Sequence, residues 1–235
     1  MNSNKHQQPP REVEITINGK VSIKSSLNVF ERAKGIVLFA HGSGSGRFSQ
    51  RNRYVASVLE QAGIASLLID LLTEEEEKVD LVTRELRFDI DLLATRVVGA
   101  TKWLLADSAL SKLKIGYFGA STGAAAALVT AAELGKDIAA VVSRGGRPDL
   151  AGEALTKVKA PTLLIVGGND FVVIDLNQRA MEQMTCQKEL VIVPGAGHLF
   201  EEPGALEQVA QYAAKWFEQY LCSEKHRLPR DKSRG

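Results

Sequence analysis

Apolar and polar positions alternate with a period of two over two short stretches near the start of the chain, residues 12–17 and 20–27, separated by Asn18-Gly19. Asn-Gly readily adopts the positive φ angles of a two-residue turn, so the pair predicts an antiparallel hairpin. From Gly35 the rhythm changes. Short Val/Ile/Leu runs with Gly or Pro at their edges, at 35–40, 64–69, 114–118, 138–143, 161–166 and 190–193, predict strands buried on both faces. Between them, residues 52–61, 83–105, 123–132 and 203–221 carry helical spacing or an Ala-rich composition. A hairpin followed by repeated strand-helix units predicts an α/β fold. Its sheet would be mostly parallel, with about eight strands covered on both faces and ligands held at the carboxyl ends of the strands.

A length of 235 residues with 45% hydrophobic content fits one domain, expected over residues 12–222. Residues 1–11 are polar and contain Pro9-Pro10, which predicts a disordered start; residues 223–235 are polar and basic and read as a solvated tail. The net charge of +1 favours neither a nucleic-acid nor a membrane-binding surface and leaves small-molecule partners open. Cys186 and Cys222 lie in no metal-ligand spacing, so both read as free thiols and neither a metal nor a cofactor is expected. With no signal-like segment and no apolar run of about 18 residues, a soluble, reducing, cytoplasmic setting is expected. Glu74-Glu75-Glu76-Glu77 reads as a solvated loop or helix start, because cation loops interleave their ligands. Oligomeric state leaves no trace in the pattern.

The chemistry concentrates in Gly119-Ala120-Ser121-Thr122-Gly123, between the strand at 114–118 and the Ala-rich helix. A serine in so tight a strand-to-helix turn is forced into a strained backbone, and flanking glycines let neighbouring chain approach. Its hydroxyl then stands at the N-terminus of a helix, where free N–H groups favour developing negative charge. A serine hydroxyl needs a base, and the base needs an acid to orient it. Of the four histidines, His6 and His226 lie in the expected disordered ends, and His41 reads as an anchor for the loop after the first parallel strand. Elimination favours His198, in the Gly-rich loop Pro194-Gly195-Ala196-Gly197-His198 past the last strand. Asp170, in Gly168-Asn169-Asp170 after the strand at 161–166, fits the orienting acid, with Asp175 as the fallback at a helix start. Glu201 and Glu202 read as first-turn helix charges. Backbone N–H groups of Ser43, in His41-Gly42-Ser43-Gly44, and of Thr122 would receive an oxyanion. A phosphate-cradling role for the same Gly/Ser loop ranks lower, since the spacing matches neither nucleotide fingerprint.

Taken together, these motifs resemble the α/β-hydrolase superfamily and, within it, the dienelactone hydrolase-like branch, over roughly residues 12–221. The resemblance implies an eight-stranded α/β-hydrolase sheet with Ser121 as nucleophile, Asp170 as acid, His198 as base, and Ser43 and Thr122 as oxyanion donors. It implies a carboxylesterase-type activity on a small soluble ester or thioester. Dienelactone hydrolases use cysteine where this chain has Ser121, so lactone specificity does not carry over. Similar sequences occur fused to phosphoribosyltransferase domains; no such domain is expected in this chain. Only residues 144–160 separate two strands where lipases insert a cap, so an open cleft with little or no lid is expected. In that interval Arg144 and Arg147 either pair with a carboxylate or phosphate on a substrate or close local ion pairs with Asp149 or Glu153; the same choice applies to Arg47, Arg51 and Arg53. Two other uses of the same residues stay open: a non-catalytic binding module for an anionic small molecule, and an acyltransferase.

Overall fold

The computed structural model describes residues 10–222. The expectations for a disordered start and a basic tail fall outside the described residues, except that Arg11 already pairs with Leu27 in the first strand. In chain order the elements are β1 (Arg11–Ile17), β2 (Val21–Asn28), β3 (Gly35–Ala40), α1 (Gln50–Gln61), β4 (Ala65–Ile69), α2 (Glu74–Thr83) and α3 (Ile90–Ala106). There follow β5 (Lys114–Ala120), α4 (Thr122–Leu134), β6 (Ile138–Arg144), β7 (Thr162–Gly167), α5 (Phe171–Gln183), β8 (Lys188–Val193) and α6 (Ala205–Leu221).

The strands form one sheet in the order β1-β2-β4-β3-β5-β6-β7-β8. Only the β1/β2 and β2/β4 pairs are antiparallel. Asn18 and Gly19 both take positive φ, 52° and 66°, and close the β1–β2 hairpin as their residue types dictate. After β3 the chain moves outward to β4, then returns past β3 to β5, so the direction of winding reverses between β3 and β5. The carboxyl ends of those two strands therefore flank a crevice, where doubly wound sheets place their ligands.

Alternation along the strands splits the core into two layers. Ile36, Leu38 and Ala40 of β3 join Tyr117 and Val141 under α3 and α4, whereas Val37 and Phe39 join Phe118 and Val142 under α1 and α6. The run of alanines in α4 is fully buried and lets the helix lie close on the sheet. A polar link inside this layer is satisfied, since Tyr117 Oη and Thr101 Oγ1 are 2.7 Å apart.

One local expectation is narrowed to one of its alternatives and another needs correction. The four glutamates open α2, whose start is a capping box between Thr73 and Glu76, so the helix-start alternative is the observed one. The helical stretch expected at 83–105 is interrupted: α2 ends at Arg84, at φ 59°, and α3 begins only after its N-cap Asp89, which accepts the Leu92 N–H at 2.9 Å. Buried Asp80 organises the break by accepting the Arg87 backbone N–H at 3.0 Å and its Nε at 2.6 Å. Between β6 and β7 there are only 3-10 turns over Pro148–Lys157, so nothing of cap size covers that side of the sheet.

Candidate active site

Ser121 links β5 to α4 with φ 49° and ψ −123°, a region that a residue with a Cβ occupies only when its surroundings hold it there. The surroundings are backbone. Ser121 N–H donates to Arg144 O at 3.4 Å, and Ser121 O accepts from Ala124 N–H and Arg147 N–H, both at 3.1 Å. The flanking glycines are sterically required: a Cβ on Gly119 would lie 2.4 Å from Ala124 Cα, and one on Gly123 would lie 2.3 Å from both Ala40 O and His41 O. The strained turn is thus wedged against the end of β3.

The β3 loop presents the other half of the crevice. Gly42 passes so close over the serine that a Cβ there would meet Ser121 Cβ at 2.9 Å. Ser43 and Thr122 come together, with their hydroxyl oxygens 3.2 Å apart, and Thr122 is the first residue of α4, so its N–H has no acceptor within the helix. Beside them opens a depression lined by Leu71, Leu81 and Leu93 together with the charged Glu77, Asp80 and Arg87.

His41 anchors this loop. Its Nε2 accepts the Leu71 N–H at 2.9 Å, which leaves the proton on Nδ1, 2.9 Å from Gly42 O. Burial, the largest influence, holds its pKa below the ordinary 6.5. An unfolded chain binds a proton there as pH falls and the folded one resists it, so this contribution to stability is present above pH 6.5 and lost below it. Urea unfolding from pH 8 to 5 is expected to show stability falling below pH 6.5, by up to about 1.4 kcal/mol per pH unit from this one group. The gap between the protein and a His41→Gln variant should narrow over that window; a constant gap would assign the titration elsewhere.

His198 and Asp170 are brought together from two strand ends, with His198 Nδ1 2.7 Å from Asp170 Oδ2. Asp170 is the N-cap of α5. Asp175 lies inside that helix and pairs with Arg179 at 3.0 Å, so the fallback acid faces solvent rather than the histidine. The histidine loop is pinned at several points: Asn169 N–H donates to Ala196 O at 2.9 Å and its Nδ2 to Gly195 O at 2.8 Å. A Cβ on Gly167 would strike Ala196 O at 2.4 Å. Glu202 Oε1 accepts the Gly197 N–H at 2.9 Å, and Glu201 pairs with Arg51 at 3.1 Å, so both acids brace the loop instead of charging a helix start, α6 beginning only at Ala205. Phe200 holds φ 55° with its ring buried against Gly145 and Arg144. Nothing in residue type marks Phe200 or Asn169 as a support; their roles depend on contacts between loops.

Ser121 and His198 lie on either side of the Arg144-Gly145 strip. Ser121 bonds to Arg144 O, and a Cβ on Gly145 would sit 3.1 Å from His198 O and 3.6 Å from His198 Nδ1. No hydrogen bond joins the Ser121 hydroxyl to the imidazole among the described residues. Arg147 takes the local option, with Nε and Nη2 on Asp149 at 2.9 and 2.7 Å. Arg47 is held by Asp70 and Glu12. The cysteines are elsewhere: Cys186 faces Thr162 at the opposite end of β7, and burial pushes both thiols up.

Comparison with known proteins bears on the family and the fold. Residues 21–221 match the profile described as the dienelactone hydrolase family. The crystal structure of a dienelactone hydrolase from Anabaena variabilis ATCC 29413 superposes with a TM-score of 0.88 at 62% identity, covering 91% of this chain and all of that one (100%). Est1E from Butyrivibrio proteoclasticus, at 15% identity and a TM-score of 0.73 over 88% of this chain and 98% of that one, shares the fold. Two Mycobacterium tuberculosis sequences, from strains CDC 1551 / Oshkosh and ATCC 25618 / H37Rv, carry the provisional name phosphoribosyl transferase and are 56% identical over 215 residues, 91% of this chain. The chain spans about half the length of these curated relatives, 48%. With the eight-stranded sheet, the strained serine turn and the matched profile in agreement, the chain belongs to the dienelactone hydrolase family of the α/β-hydrolase fold.

Proposed function

We propose that the protein is a serine hydrolase that cleaves a small soluble ester or thioester through an acyl-enzyme. The observation that carries this reading is the 2.7 Å Asp170–His198 contact, beside a serine held at φ 49° against the N-terminus of a helix. Ser121 Oγ attacks the carbonyl carbon, and its proton passes to His198 Nε2. The carbonyl oxygen, now negative, is received by the N–H groups of Ser43 and Thr122. His198 returns the proton to the leaving oxygen or sulfur as that bond to carbon breaks, and water repeats the sequence to free the acid. Asp170 keeps the proton of His198 on Nδ1 and balances the imidazolium that forms. The Leu71, Leu81 and Leu93 wall beside the oxyanion donors suits a small apolar group of the substrate.

A fluorophosphonate probe tests the reading, because it reacts with a serine only when a base activates it. Rapid labelling, mapped to Ser121 by peptide mass, is the expected result; no labelling of the folded protein removes the hydrolase reading. Asp170→Asn presents His198 in the wrong tautomer and is expected to slow both labelling and 4-nitrophenyl acetate turnover by about 10⁴-fold.

A further inference from the structure

Arg144 ends β6 and is the buried guanidinium for which the fold supplies no acid. Its side chain points to the α1/α6 side of the sheet, is 7% exposed, and lies 5.9 Å from the Phe200 ring centroid. Among the described residues no carboxylate pairs with it, and its Nε has no hydrogen-bond partner. The other arginines buried or half-buried near the site are treated differently: Arg47, Arg87 and Arg147 each hold a carboxylate. The charged neighbour that acts on Arg144 is another cation, Arg51, and burial together with that repulsion lowers its pKa to about 10. Arg51 sits in the first turn of α1, which contains no acid; its Nη1 reaches Glu201, but its own Nε is buried without a partner.

Arg144 has no carboxylate, and its charged neighbour Arg51 has its ion-pair partner in the solvent-exposed Glu201, so a positive charge is left in a poorly solvated place. A buried cation is retained at a cost unless an anion meets it. The planar fork of arginine matches a carboxylate or phosphate. We propose that Arg144 and Arg51 form a binding site for a small oxyanion, a carboxylate or a phosphate, beneath the loop that carries His198. Phe200 and Glu201, which touch the two arginines, follow His198 by two and three residues. An anion held there is either a part of the reacting ester or a free ion that braces the loop. The first source rests on the hydrolase reading above; the second does not.

Isothermal titration of the intact protein with inorganic phosphate and with succinate tests the site without requiring turnover. Saturable binding of at least one is expected, weakened about tenfold or more in Arg144→Gln and in Arg51→Gln. Arg51 is partly exposed, so the second variant decides the matter if the first does not fold. The source is read from the ratio of kcat/KM for mono-4-nitrophenyl succinate to that for 4-nitrophenyl acetate. A ratio that favours the anionic ester and drops about tenfold in Arg144→Gln or Arg51→Gln assigns the anion to the substrate. Phosphate binding with an unmoved ratio assigns it to a free ion. No saturable binding of either anion and no preference for the anionic ester overturns the proposal, as does binding that survives both substitutions. If Ser121 resists the fluorophosphonate, the hydrolase reading fails alone, and the titrations still decide the anion site.

Discussion

Replacing Ser121 with alanine is expected to lower ester turnover by on the order of 10⁵- to 10⁶-fold while the chain stays folded. The stability side follows from the backbone. Alanine at φ 49° is no more strained than serine, and Ser121 is fixed through its N–H and C=O, which the substitution keeps. The activity side follows from the proposed division of labour: without the hydroxyl there is no acyl-enzyme, and the oxyanion donors alone give a small residual rate. His198→Ala should cost about as much, and the double variant little more than either single one, because the groups act as one unit. Turnover of 4-nitrophenyl acetate, read alongside urea unfolding, checks both halves. Multiplicative losses in the double variant would mean that the serine and the histidine work separately, which the hydrolase mechanism does not allow.

What could be read from the chain differs between its elements for physical reasons. The strand expected at 35–40 is the observed β3, because a strand buried on both faces is apolar throughout and has turn residues at its limits. β8 starts two residues before the run at 190–193; at the sheet edge Glu189 is exposed, Lys188 is half-buried with its Nζ on Met184 O, and neither carries an apolar signal. The strained serine turn is legible since its strain, its flanking glycines and the following helix are all local. Asp170 and Asp175 were harder to separate, five residues apart in one segment, until the start of α5 placed the first at the cap and the second on the outer face. The interruption between α2 and α3 depends on Arg84 in a left-handed conformation and on Asp80 reaching Arg87, and helical spacing on both sides hides it. Glu202 as a loop brace and Arg144 without an acid are facts about long-range neighbours. A one-dimensional pattern can nominate such residues by type but cannot report what stands opposite them.

Gly123→Ala is expected to be the most damaging single methyl group that can be added to the site. A Cβ there would lie 2.3 Å from Ala40 O and His41 O, both backbone atoms at the end of a central strand, so no flexible side chain can yield. Either α4 withdraws from β3 or the His41-Gly42-Ser43 loop lifts, and each route breaks buried packing at a cost of about 3 kcal/mol or more. Gly204→Ala gives the scale for comparison. That residue is left-handed, at φ 79° and ψ −6°, with nothing within 4 Å of its added Cβ, so only the backbone strain of about 1 kcal/mol is expected. Any Gly123→Ala protein that folds should also lose kcat by about 10²-fold, because shifting Ser43 relative to Thr122 by a fraction of an ångström misplaces the proposed oxyanion donors. Urea unfolding of the two variants, with kcat on 4-nitrophenyl acetate, makes the comparison. Equal stability of the two would show that β3 and α4 can part freely, and the strained serine turn would then need another source of support.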